Sequence, residues 1–170
     1  MQLRVAGPIA VGLISLVAPP RAVGQTLTVA LAPPAVAFTL ASGSASNPGS
    51  TAVVVTTTWA LLTIGRTLSL FGYFSNSSAA LGHVTPSNPN DIPSSHVEIS
   101  VDGGASTPVN QTVAFGGASA GLLIFSQVVT PATTTGVKAN SLAFNINLTG
   151  LALISDTYSG TFRVRARVSP

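Results

Sequence analysis

Residues Tyr158–Val168 read Tyr-Ser-Gly-Thr-Phe-Arg-Val-Arg-Ala-Arg-Val. Phe162, Val164, Ala166 and Val168 fall on one side of an extended chain, and Arg163, Arg165 and Arg167 fall on the other. A strand repeats every two residues, so this is a stretch with one face for a core and one for water. It needs sheet partners, and several upstream stretches carry the same alternation.

Leu27, Val29 and Leu31 share a face within Gln25–Leu31, and the pattern resumes at Val36, Phe38 and Leu40 after Pro33-Pro34. Proline cannot donate to a ladder, so this interrupted stretch reads as an edge strand. Ala52–Leu62 is rich in valine and threonine, with Val53, Val55, Thr57, Trp59 and Leu61 on one face. Trp59 reads as a core side chain, because a buried indole removes a large apolar area from water. Thr67–Phe74 is apolar on both faces, as a central strand would be. Val97, Ile99 and Val101 alternate ahead of an Asp102-Gly103-Gly104 turn. Val113–Phe115 reads as a short strand, Leu122–Val129 as a strand apolar on both faces, Pro131–Gly136 as a turn, and Leu142, Phe144, Ile146 and Leu148 as inward positions of another strand. Ser75–Ser95 is the longest irregular stretch.

Short strands separated by turn signals, with no convincing helix after residue 24, predict an all-β chain. The expected fold is an antiparallel Greek-key β-sandwich, Ig-like or pilin-like, of about eight or nine strands. An up-and-down barrel is the alternative.

The first 24 residues have another character. Met1–Arg4 is a short basic start, Val5–Ala18 is largely apolar, and Ala22-Val23-Gly24 places small residues two apart before Gln25. This predicts a signal peptide, residues 1–24, cut before Gln25 to leave one domain at 25–170. The apolar run is shorter than the roughly 20 residues a bilayer requires, so no membrane span is expected after cleavage. The expected location is secreted or cell-surface, in the periplasm or outside the cell.

Cleavage would remove Arg4 and Arg21. Arg66, Lys138, Arg163, Arg165 and Arg167 would then face Asp91, Glu98, Asp102 and Asp156, a net charge of about +1. The basic character of the whole chain therefore does not predict a nucleic-acid partner. Charged residues make up 6% of the sequence, against about 25% in ordinary domains. So little charge repulsion favours a protein packed against copies of itself or against cell-surface components. There is no cysteine, which excludes disulfides, thiolate chemistry and cysteine-type zinc sites.

The layout resembles exported bacterial pilin-like sandwiches of the spore-coat protein U and chaperone–usher type. The resemblance rests on the leader followed directly by the Gln25–Leu31 strand, on the polar low-charge β-chain, and on the terminal Tyr158-Ser-Gly-Thr strand. It covers most of residues 25–170. It implies a non-enzymatic structural, surface-coat or fimbrial subunit, and a first strand that pairs within its own domain or adds to a neighbour's sheet through Leu27, Val29 and Leu31.

No catalytic motif emerges. His83 and His96 are the available histidines, and no Gly-x-Ser-x-Gly elbow is present. Asn88, Asn90 and Asp91, near His83 and His96, offer oxygen ligands without EF-hand spacing and read as a solvated loop. Gly116–Gly121 lacks the lysine of a phosphate loop and reads as a turn. Asn76, Asn110 and Asn147 begin glycosylation-type triplets. No cofactor and no metal site are expected. Arg163, Arg165 and Arg167 form the one clustered charge, spanning roughly 13 Å at strand rise. They read as a solvated face that discourages edge aggregation, or as contacts for phosphates or acidic glycans. The alternative function is accordingly a carbohydrate- or surface-binding module.

Overall fold

The computed structural model describes residues 2–5, 25–111 and 121–170. Within them the chain is all-β. In order, the strands are β1 (Gln2–Val5), β2 (Thr26–Ala32), β3 (Phe38–Ala41), β4 (Val53–Ala60), β5 (Thr67–Phe74), β6 (Gly82–His83), β7 (Val97–Val101), β8 (Thr107–Pro108), β9 (Leu122–Val128), β10 (Thr135–Ile146), β11 (Tyr158–Ser159) and β12 (Phe162–Ser169). A 3₁₀ turn at Ser94–His96 precedes β7. Every pairing is antiparallel. No helix of the described residues is long and apolar enough to cross a membrane.

Two sheets carry the core. One has the order β2-β4-β10-β7-β8 and the other β12-β5-β9, with short ribbons β6–β11 and β1–β3 beside them. Alternation explains the faces. Val53, Val55, Thr57 and Trp59 of β4 are buried, as are Leu142, Phe144 and Ile146 of β10 and Val97 and Ile99 of β7. Leu68, Leu70 and Phe74 of β5 and Phe162, Val164 and Ala166 of β12 join them in one core cluster. Burying each such side chain contributes about 1.5–3 kcal/mol. Phe162 sits edge-on to Phe144 of the opposite sheet at 5.2 Å and to Phe74 of its own at 5.3 Å. The expectation of an all-β chain with Trp59 and Phe162 inside therefore holds. Trp59 is further fixed by its indole N–H, which donates to the Thr133 carbonyl at 3.0 Å.

Three expectations change. The strand expected near Leu142 starts at Thr135 and absorbs the end of the predicted turn, because residues 135–142 pair with Ala60–Val53 through the backbone whatever their side chains. The terminal stretch divides into β11 and β12. Gly160 lies against the Ala80 carbonyl, where no side chain fits, and there the chain passes from the small ribbon to the sheet. The strand expected at Leu122–Val129 holds as β9, an edge strand shifted in register opposite Leu70/Phe71 that leaves Leu123 and Val128 exposed. Ser75–Ser95 is not free of structure: it contains β6, a Leu81–Ile92 bridge and the start of the 3₁₀ turn. The predicted Val113–Phe115 strand, most of the Gly116–Gly121 turn and the Ala22–Gly24 cleavage motif lie outside the described residues.

Candidate functional site

The first candidate region is the seam where β2 and β12 approach each other. Leu27, Val29 and Leu31 are half-buried on β2, the outer strand of its sheet, and stand opposite Trp59, Thr57 and Val55 of β4 in the same chain. After Pro33-Pro34 the chain drops to β3, whose Phe38 and Leu40 enter the core. Asn47 holds the following turn. Its Oδ1 accepts from the Ala41 N–H at 2.7 Å, and its Nδ2 donates to the carbonyls of Ser44 and Ile146. β3 pairs with Gln2–Val5, in the register Gln2–Ala41 to Val5–Phe38. β12 pairs with β5, and no other strand of the described residues pairs with it.

The second region is the outer face of β12-β5-β9. Arg163, Arg165 and Arg167 are exposed there while Phe162, Val164 and Ala166 face the core. Register puts Arg163 opposite Tyr73, Arg165 opposite Phe71 and Arg167 opposite Ser69. On the far side of β5, Phe71 faces Leu123 and Ser69 faces Ser126. The Ser69 and Ser126 hydroxyls are hydrogen-bonded at 3.2 Å.

The Ser75–Ser95 stretch is tied down by polar contacts, and it lines two open surface clefts, one with Asn110 and Gln111 and one with Leu151 and Leu153. Asp156 accepts from the Thr85 N–H and hydroxyl, the Thr157 N–H and Asn88 Nδ2. The Asn88 hydrogen bond, aided by those of Thr85 and Thr157 against an opposing desolvation, lowers its carboxyl pKa to about 2. Asn88 also donates to the Tyr158 hydroxyl, which in turn donates to the Ile154 carbonyl. The residues considered for a cation do not converge. Asn90 donates to the Ala152 carbonyl, Asp91 bonds His83 Nδ1 at 2.7 Å, and His96 Nδ1 lies 2.6 Å from the Asn147 carbonyl. No group of three histidine, aspartate or glutamate side chains placed to hold a metal ion occurs among the described residues.

Asp102, at the end of β7, accepts from the Ser141 N–H and from Asn140 Nδ2 at 2.7 Å each. The Ser141 bond is the main cause of its lowered carboxyl pKa. Beside Ser75–Ser95, Gln111 pairs with both backbone groups of Phe74 and closes the end of β5 as a strand would. Asn47, Gln111 and Asp156 carry no sequence signal of these roles: Gln111 and Asp156 bond residues far along the chain, and Asn47 joins its own turn to the distant Ile146. No family model, curated protein or solved structure matches this chain.

Proposed function

We propose that the protein is an exported, non-enzymatic structural subunit of a cell-surface or fimbria-like assembly, built by adding a strand to an open edge. The observation that carries this reading is the state of the seam. β3 is paired along Phe38–Ala41 by residues 2–5, which belong to the segment read as a removable leader. Its cleavage exposes that ladder. An unpaired edge backed by apolar side chains is a template for a strand from another chain. The low charge of the surface and the resemblance to pilin-like sandwiches support the same reading. Both histidines are committed to loop contacts, which favours a structural role over a catalytic one.

The test is sedimentation of the exported protein over a wide concentration range, with intact-mass analysis of its N-terminus. The expected chain starts at Gln25 and forms concentration-dependent polymers. Thr39→Lys with Ala41→Lys, both exposed on β3, should block them by charging the edge. A strictly monomeric exported protein overturns the proposal.

A further inference from the structure

Charge is segregated in this molecule. The three-stranded sheet carries Arg163, Arg165 and Arg167, with Arg66 just before β5. All four carboxylate side chains lie elsewhere: Asp91 by β6, Glu98 and Asp102 on and after β7, and Asp156 before β11. Glu98 is occupied by the amides of Asn145 and Asn147. The outer face of β12-β5-β9 is therefore cationic in a chain of otherwise low charge.

That face is ordered in rows. Arg165, Phe71 and Leu123 make one, Arg167, Ser69 and Ser126 the next, and Ser169, Thr67 and Val128 the third, with Arg163 and Tyr73 at the head. Successive guanidiniums along β12 are spaced by two residues, roughly 6.7 Å. Such a ladder suits an extended polymer with repeated anions better than a single small ion. Each guanidinium presents a planar fork that matches a carboxylate with two hydrogen bonds. The hydroxyl pair Ser69–Ser126 supplies donors and acceptors in the middle of the face. Leu123 is 50% exposed and Val128 56%, which gives apolar contact for the C–H faces of sugar rings. The aromatic rings are set into the sheet: Tyr73 is 9% exposed and Phe71 half-buried. Binding of single-stranded nucleic acid uses rings open enough for bases to stack on them, and these are not.

We infer that the outer face of β12-β5-β9 binds a carboxylated polysaccharide, with Arg163, Arg165 and Arg167 pairing its carboxylates and the Phe71/Leu123 and Ser69/Ser126 rows carrying its rings and hydroxyls. This goes beyond the assembly reading, because the face lies on the outward side chains of these three strands and the assembly edge on the backbone of β3.

The experiment uses the purified exported protein with four probes: polygalacturonate, neutral dextran, single-stranded oligothymidylate and vesicles of phosphatidylcholine with phosphatidylserine. Saturable binding to polygalacturonate, exceeding that to the other three, is expected. It should weaken as salt rises, because exposed charges are screened over about 8 Å at physiological ionic strength. Changing all three arginines to serine should weaken it by about tenfold or more, with the near-UV circular dichroism unchanged. Lys138→Ser on β10 should leave it as it was. Phe71→Leu should weaken it less than the triple change, and Thr39→Lys with Ala41→Lys should not affect it, which separates this face from the assembly edge. Equal binding by the triple variant overturns the inference. So does binding to dextran as tight as to polygalacturonate, or tighter Arg-dependent binding to the oligonucleotide or the vesicles.

Discussion

On the outside of the five-stranded sheet, Thr28, Thr58 and Val137 stand in one row and Ala30, Thr56 and Ala139 in the next, followed by Ala32, Val54 and Ser141. On the outside of the three-stranded sheet the comparable rows are Arg165, Phe71, Leu123 and Arg167, Ser69, Ser126. Both surfaces rest on the same pleat over the same core. Across β2, β4 and β10 the first is a field of methyls and hydroxyls, with Glu98 carried on the neighbouring β7, and the other concentrates the cations. The inner faces teach nothing comparable, since valine, leucine, isoleucine and phenylalanine serve there alike. Chemical identity in this protein is written on the outward half of each alternation, where folding imposes the weakest demand.

The largest expected effect tests the boundary between the halves. Phe162→Ala removes a ring packed on Phe74 and Phe144 and should cost about 3–5 kcal/mol, seen as lost soluble yield or a collapsed urea midpoint. Arg165→Ser, three residues further and facing outward, should stay within about 0.5 kcal/mol of the parent. Equal losses would mean that the two faces of β12 are not distinct.

A smaller effect is expected at Gly72. Its backbone lies against the Phe162 ring, so that a Cβ would overlap the ring. Gly72→Ala should cost about 1–3 kcal/mol by overpacking, read from thermal or urea unfolding. Thr57 and Asn140 refine the picture of the neutral sheet. Thr57 Oγ1 and Asn140 Oδ1 are buried on its inward side with no hydrogen-bond partner among the described protein atoms. Thr57→Val, nearly equal in shape, should raise stability by about 1 kcal/mol, and a loss of similar size would show that the hydroxyl is paired.

The smallest effect concerns pH and the loop beside β11. Asp156 has a folded pKa of about 2, below its ordinary 3.8. A depressed carboxylate pKa contributes stability above the unfolded value, and that contribution is lost as pH falls through the folded one. The Thr85–Asn88 segment should therefore loosen between about pH 4 and pH 2. Hydrogen exchange at Thr85 and Thr157 should report it, and Asp156→Asn should abolish the pH dependence there without moving the Arg face.

Much of this was legible beforehand. The alternation in Phe162–Val168 alone assigned Phe162, Val164 and Ala166 inward and the arginines outward, and Trp59 was read as core from its place in Val53–Leu61. β5 was read as central because both its faces are apolar, and it lies between β12 and β9. Leu122–Val129, read only as a strand apolar on both faces, is an edge strand, because apolar content on both faces does not distinguish a strand with two neighbours from one that leaves Leu123 and Val128 in water.

The sequence by itself determined which side of each strand faces inward, since a period of two is a property of the local backbone. It also determined that the chain is all-β and held without disulfides. The tertiary structure alone decided that Arg165 stands beside Phe71 and Leu123, residues roughly 40–90 positions away along the chain. It decided that β2 pairs with β4, that among the described residues β12 pairs with β5 alone, and that Asp156 fastens a loop some 70 positions upstream. The physical reason is that register and neighbourhood come from competition among distant strands to bury the same kind of side chain, and no local pattern records which partner wins.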